Sequence, residues 1–113
     1  MLNQVNVIGR LTRDPVLIPA AGEHRLPFVK IAIACDRDYK NGGIRETDFF
    51  QVSAWRNVAE FIVKNFARGQ MIAVSGRIQN LRYRDEDDPT GKERLTVEIV
   101  ADNAYSVENR GRG

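Results

Sequence analysis

The stretch from Thr47 to Gln79, TDFFQVSAWRNVAEFIVKNFARGQMIAVSGRIQ, changes its apolar period twice, and those changes set the architecture. Through Trp55 the apolar residues alternate, with Phe50, Val52 and Ala54 on one parity. That is the repeat of a strand with one face in a core, predicted from about Glu46 to Trp55. From Val58 the spacing lengthens, and Val58, Phe61, Ile62 and Phe66 form the stripe of one short helix ending near Ala67. Asn57, with Glu60 three residues on, is a candidate cap at its start. Lys64 and Arg68 complement its far end, and Gly69 suits a left-handed exit. Alternation then returns: Ile72, Val74, Gly76 and Ile78 share one parity of a strand predicted from about Gln70 to Tyr83.

Outward from this segment, three more strands follow the same rule. Val5, Val7, Gly9 and Leu11 alternate between Gln4 and Leu11, and Asp14-Pro15 ends that run. Val29, Ile31, Ile33 and Cys35 share one parity between Leu26 and Asp36, after which DRDYKNGG reads as a polar hairpin loop returning at Asn41-Gly42-Gly43. Leu95, Val97, Ile99 and Ala101 alternate between Glu93 and Asp102. Three strands, a helix and two strands is the order of the OB fold. The predicted class is therefore mainly all-β: a five-stranded Greek-key barrel with one short α-helix between strands three and four. Val7-Ile8-Gly9-Arg10-Leu11 is echoed by Val74-Ser75-Gly76-Arg77-Ile78. Gly9 and Gly76 read as bends where a small sheet curves, because a phosphate-cradling loop needs further glycines and a following helix.

The bulk properties agree with one domain. A chain of 113 residues can bury a core without disulfides or metal, and residues 1–108 are expected to form the domain, with 109–113 a short basic, glycine-containing end expected to be disordered. No apolar run is long enough to span a bilayer as a helix, and the amino terminus lacks the pattern of an export signal, so a cytoplasmic location without membrane contact is expected. One cysteine and one histidine exclude an internal disulfide and fall short of a zinc site, so neither redox nor metal chemistry is expected. A net charge of +2 permits nucleic-acid binding without requiring it, so the local distribution of charge has to decide.

That distribution is informative on the third strand. Opposite its core parity stand Phe49, Gln51, Ser53 and Trp55, a polar face with a large ring at either end. Exposed rings suit stacking on unpaired bases, which is tolerant of sequence because every base has a π face. Tyr83 extends the fourth strand on its wet side between Arg82 and Arg84; Lys40 follows Tyr39 and Arg56 follows Trp55. Interleaved rings and cations are what a groove that tracks a nucleic-acid backbone requires. The candidate stacking residues are thus Tyr39, Phe49, Trp55 and Tyr83, with Arg10, Lys40, Arg56, Arg68, Arg77, Arg82 and Arg84 as phosphate contacts. Taken singly, each ring could equally be a core rim or an oligomer contact, and each arginine a solvated charge; the set is the signal.

Catalysis has weaker claims. Asp85-Glu86-Asp87-Asp88 could hold magnesium, but consecutive acids in a Pro89-Gly91 loop diverge, and a solvated hairpin tip is the expected reading. His24 lies in a loop with no nucleophile or carboxylate near it in sequence, and Cys35 falls on a core parity. No enzymatic activity is expected. An OB-type adaptor of the primosome or an RNA-binding module, acting through protein or RNA contacts, is the rival function.

NQVNVIGRLTRDP, FVKIAIACDRDYK and the segment 47–79 together resemble the bacterial single-stranded DNA-binding protein family from Asn3 to about Val107. The resemblance implies sequence-independent coating of single strands in replication, recombination or repair, as a homotetramer of OB folds. It places Tyr39, Phe49, Trp55 and Tyr83 at the family's base-stacking positions and Arg68 and Arg82 along the DNA path. Three of those stacking sites, often tryptophan in the family, hold Tyr39, Phe49 and Tyr83, with less ring area each. Phe50 stands where some members carry an interface histidine. The sequence ends ENRGRG, without the acidic tip through which the family recruits enzymes, so recruitment by that route is not expected.

Overall fold

A computed structural model describes residues 1–19, 26–84, 87 and 89–107, with the side chains of residues 39–41 and 83 outside that description. Five strands and one helix follow in the predicted order: β1 (Val5–Leu11), β2 (Phe28–Asn41), β3 (Ile44–Trp55), α1 (Arg56–Asn65), β4 (Met71–Arg84) and β5 (Glu93–Ser106). The strands close as β1-β2-β3-β5-β4. All pairings are antiparallel except β3 with β5, which run parallel and meet only at Val52↔Ile99 and Ser53↔Val100. This is an OB barrel, and α1 supplies the crossover that lets β3 and β5 run the same way.

The core follows from the alternation. Val29, Ile31 and Ile33 of β2 face inward with Val52 and Ala54 of β3, Ile72 and Val74 of β4, and Ile99 and Ala101 of β5. Helix α1 closes one end with Ala59, Ile62 and the following Phe66, all buried. Ala59 takes the core place expected of Phe61, whose ring is exposed and meets Phe66 edge-on at 5.9 Å. The two mid-strand glycines lie where strands crowd. A Cβ on Gly9 would come within 2.7 Å of the Ala34 carbonyl oxygen, and one on Gly76, beside a register shift in β4, within 2.0 Å of that of Val100. Both contacts require glycine.

Several expectations are corrected. The segment expected as a polar loop from Asp36 continues β2 to Asn41, and only Gly42 and Gly43 turn, with φ of 62° and 83°. It lacks alternation because it projects past the core, and polar cross-strand contacts hold it instead. Helix α1 starts two residues early, directly out of β3: Trp55 is the N-cap and no side chain caps it, so the Asn57 cap does not form. The Arg56 amide instead donates to the Pro27 carbonyl at 2.9 Å. The helix also ends early, at Asn65, and the positive φ of Gly69 serves the next turn, whose amide donates to Leu11. Phe50 and Ile78, expected inside, are partly exposed where the barrel opens, and Leu95 and Val97 are exposed on the part of β5 beyond it.

Candidate nucleic-acid interface

The register of β2 on β3 assembles the outer face row by row: Phe28 beside Trp55, Lys30 beside Ser53, Ala32 beside Gln51, Ala34 beside Phe49. Opposed residues of an antiparallel pair share a face, so Phe49 and Trp55 stand at the ends of a track of about 20 Å, six residues at ~3.3 Å each. The alanines beside Gln51 and Phe49 are too short to obstruct it. Phe49 is 68% exposed and Trp55 36%. Trp55 is about two-thirds covered, with Phe28 stacked on it at a centroid distance of 4.7 Å and planes inclined by 27°. Ser53, expected on the wet face, is only 2% exposed, and its hydroxyl has no hydrogen-bond partner. The reason is the row it occupies: Ser53 meets β5 at the parallel seam, and the pairings continue through Val100 to Arg77.

Beyond that seam, toward the hairpin tips, β3 and β5 have no pairing and separate. The opening is a groove of about 300 Å³. Phe49, Gln51, Thr96 and Glu98 line it from the outer parities; Phe50, Val97 and Ile78 line it from the mouth of the barrel. Glu98 is 7% exposed and accepts a hydrogen bond from the Gln79 amide at 3.2 Å. Thus the β2–β3 and β4–β5 hairpins form the two walls above Val5 and Val7 of β1, with a ring at the edge and the Gln51 amide and Glu98 carboxylate within.

The β2–β3 wall is braced by charge. The Arg37 guanidinium donates from Nε and Nη2 to the two Asp48 oxygens at 3.1 and 3.0 Å, and from Nη1 to Glu46. Thr47 donates its hydroxyl to Asp36 at 2.6 Å, and Arg45 donates to the Arg37 carbonyl at 2.8 Å. The Arg37 hydrogen bonds hold the Asp48 carboxyl below the ordinary aspartate range, outweighing desolvation, and the guanidinium charge adds a smaller pull in the same direction. Cys35, at the foot of this hairpin, has its thiol pushed up by burial and then by the charges of Asp48 and Asp36.

Of the sequence-predicted residues, Trp55 and Arg56 are adjacent at the exit of β3 and Phe49 stands at the other end of the same strand face, all exposed. Tyr39 and Lys40 fall on the β2–β3 hairpin and Tyr83 on β4 opposite Arg94; their side chains lie outside the described residues. Arg82 and Arg84 are exposed on the β4–β5 hairpin. Arg77 sits 3.8 Å from Asp102. Arg10 and Arg68 gather elsewhere, at the loop from α1 to β4: Arg10 donates to the Gly69 carbonyl at 2.9 Å, and the Arg68 amide donates to Asp14 at 2.8 Å. His24, Asp85, Glu86, Asp88 and residues 109–113 lie outside the described residues. Phe28, Gln79 and Glu98 were not anticipated. Phe28 shares the outer parity of Lys30, but its role depends on a register that sequence does not print. Glu98, a carboxylate between Val97 and Ile99, was the one visible signal.

Residues 2–107 match the Single-strand binding protein family. Similar proteins include a "Single-stranded DNA-binding protein" of Caldanaerobacter subterraneus subsp. tengcongensis, 38% identical over 109 residues that cover 96% of this chain and 69% of the relative. "Single-stranded DNA-binding protein 3" of Listeria innocua serovar 6a is 35% identical over 116 residues, covering 100% of this chain and 68% of the relative. A "Single-stranded DNA-binding protein" of Clostridium tetani is 38% identical over 109 residues, 95% of this chain and 71% of the relative.

Proposed function

Because the chain belongs to the single-strand binding protein family, we propose that it coats unpaired DNA, without reading sequence, during replication, recombination or repair. One observation carries the reading: the outer face of β3 holds two exposed rings at the ends of one track, beside a groove that opens between two hairpins. Bases stack on Phe49 and Trp55, and on Tyr39 and Tyr83 of the two hairpins. Arg56, Lys40, Arg82 and Arg84 meet phosphates, and Arg77, Arg10 and Arg68 extend the cationic path. Residues 1–108 form the binding domain, acting in the cytoplasm at the nucleoid. Binding is the whole of the activity, and no chemical step or cofactor belongs to it. Among the described residues no helix is long and apolar enough to cross a membrane.

The working unit is a homotetramer. Two features favour self-association. β1 pairs with β2 only at Arg10 and Leu11, so the edge from Val5 to Ile8 offers unpaired backbone groups to a second strand. The outer face beside it carries Ile8, Ala73 and Tyr105 in one row across β1, β4 and β5, uncharged, with both large side chains exposed.

Trp55 is the only tryptophan, so its emission reports this site alone. Titration with an oligo-dT strand is expected to quench it strongly, duplex of equal length to leave it nearly unchanged, and added salt to weaken the binding. Unchanged emission at saturating oligo-dT removes the stacking mechanism, and equal response to an RNA strand moves the assignment to the RNA-binding alternative.

A further inference from the structure

Among the described residues the positive backbone φ angles belong to Gly42, Gly43, Gly69 and Gly91, and to one residue with a side chain, Arg56, at φ 54°. An L residue there brings its Cβ against the backbone, which glycine avoids. Trp55 is fully extended, at φ −129° and ψ 155°, and the helix begins at the next residue, so the whole reversal falls on Arg56. Both sides of the corner are pinned at the start of β2: the Arg56 amide by the carbonyl of Pro27, the residue before that strand, at 2.9 Å, and the Trp55 ring by Phe28, its first residue, at 4.7 Å. The position therefore calls for glycine and holds arginine. Its side chain does nothing for the fold, being exposed, with no guanidinium partner among the described residues.

We infer that Arg56 is held in a left-handed conformation at a cost to stability because that conformation sets a free guanidinium at the corner beside Trp55, where it meets the phosphate next to the base stacked on that ring. The inference rests on the proposed DNA binding and adds to it a trade of stability for affinity at a single residue. It accounts for both the strained backbone and the unpaired cation, neither of which the barrel needs.

Three substitutions separate strain from charge, each followed by thermal unfolding at equal protein concentration and by the salt dependence of oligo-dT binding. Arg56→Gly removes both: melting rises by roughly 4 °C, and the slope of log K against log salt shrinks by about 0.7 for each subunit engaged, one phosphate contact on a single strand. Arg56→Ala removes the charge and keeps a Cβ in the left-handed region, so the slope shrinks without the gain in melting temperature. Arg56→Lys restores the slope and also gains nothing in melting. A wild-type slope in Arg56→Gly, with the Trp55 quench intact, overturns the phosphate contact while leaving the proposed function standing. An unchanged or lower melting temperature in Arg56→Gly overturns the strain. Absence of oligo-dT binding by the unaltered protein sinks the underlying function, a result that none of the variant comparisons would mimic.

Discussion

At the scale of single residues, the two parities of β3 separate binding from folding, and substitutions should divide accordingly. Phe49 is 68% exposed and touches the groove, so Phe49→Ala should weaken oligo-dT binding by about 1–3 kcal/mol, roughly fivefold to more than a hundredfold, with the melting temperature nearly unchanged. Val52→Ala empties volume in a fully buried position and should cost ~2 kcal/mol of stability, read by denaturant unfolding, while binding at low temperature persists. Trp55 is intermediate, because its ring covers Phe28: Trp55→Ala should lose affinity and also lower the melting temperature, and Trp55→Phe should recover most of the stability. Equal loss of folding in the Phe49 and Val52 variants would show that the faces are reversed. Of the residues that alternation identified, Val29, Ile31, Ile33, Val52 and Ile72 are buried, whereas Phe50 and Ile78 are exposed at the mouth of the barrel. Ser53 was misplaced because parity says which side of a sheet a residue takes, and not whether a neighbouring strand covers that side.

At the scale of elements, the β2–β3 hairpin is a wall held by ion pairs rather than by a core, and it should respond to pH. The Asp48 carboxyl lies below its unfolded value because Arg37 bonds to it. Its contribution is therefore complete above the ordinary aspartate range and is lost as pH falls through the depressed folded value. The pair is exposed, so the effect on global stability is small. The sensitive measurement is the carboxyl shift of Asp48 by NMR, expected to titrate below ordinary aspartate and to return to it in Arg37→Gln; an ordinary titration in the unaltered protein would refute the brace. The same hairpin marks the limit of sequence reading for elements. Alternation found every strand where a core exists, and lost β2 at Asp36 and the true character of β5 at Leu95 and Val97, where both faces meet solvent and no period is imposed. The helix start failed for a related reason: a cap at Asn57 is the local preference, and the tertiary bond from Arg56 to Pro27 overrides it.

For the molecule as a whole, the uncharged face of β1, β4 and β5 gives the proposed tetramer a direct test. Ile8→Glu places a carboxylate in the middle of the row with Ala73 and Tyr105, at a cost of about 3 kcal/mol or more if that row is buried between copies. Light scattering coupled to size exclusion should then report species smaller than the tetramer, with circular dichroism unchanged; an undisturbed tetramer would move the interface elsewhere. Such a face was legible only after the register aligned Ile8 with Tyr105, residues 97 positions apart in the chain. The short seam between β3 and β5 has a different consequence. Two residue pairs close the cylinder on that side, so the hairpins above it behave as two jaws with a common root and no direct fastening. A strand lying between them, stacked on one and ion-paired to the other, becomes the missing fastening. The occupied protein should therefore melt at a higher temperature than the empty one, with amide exchange slowed first at Val52, Ser53, Ile99 and Val100.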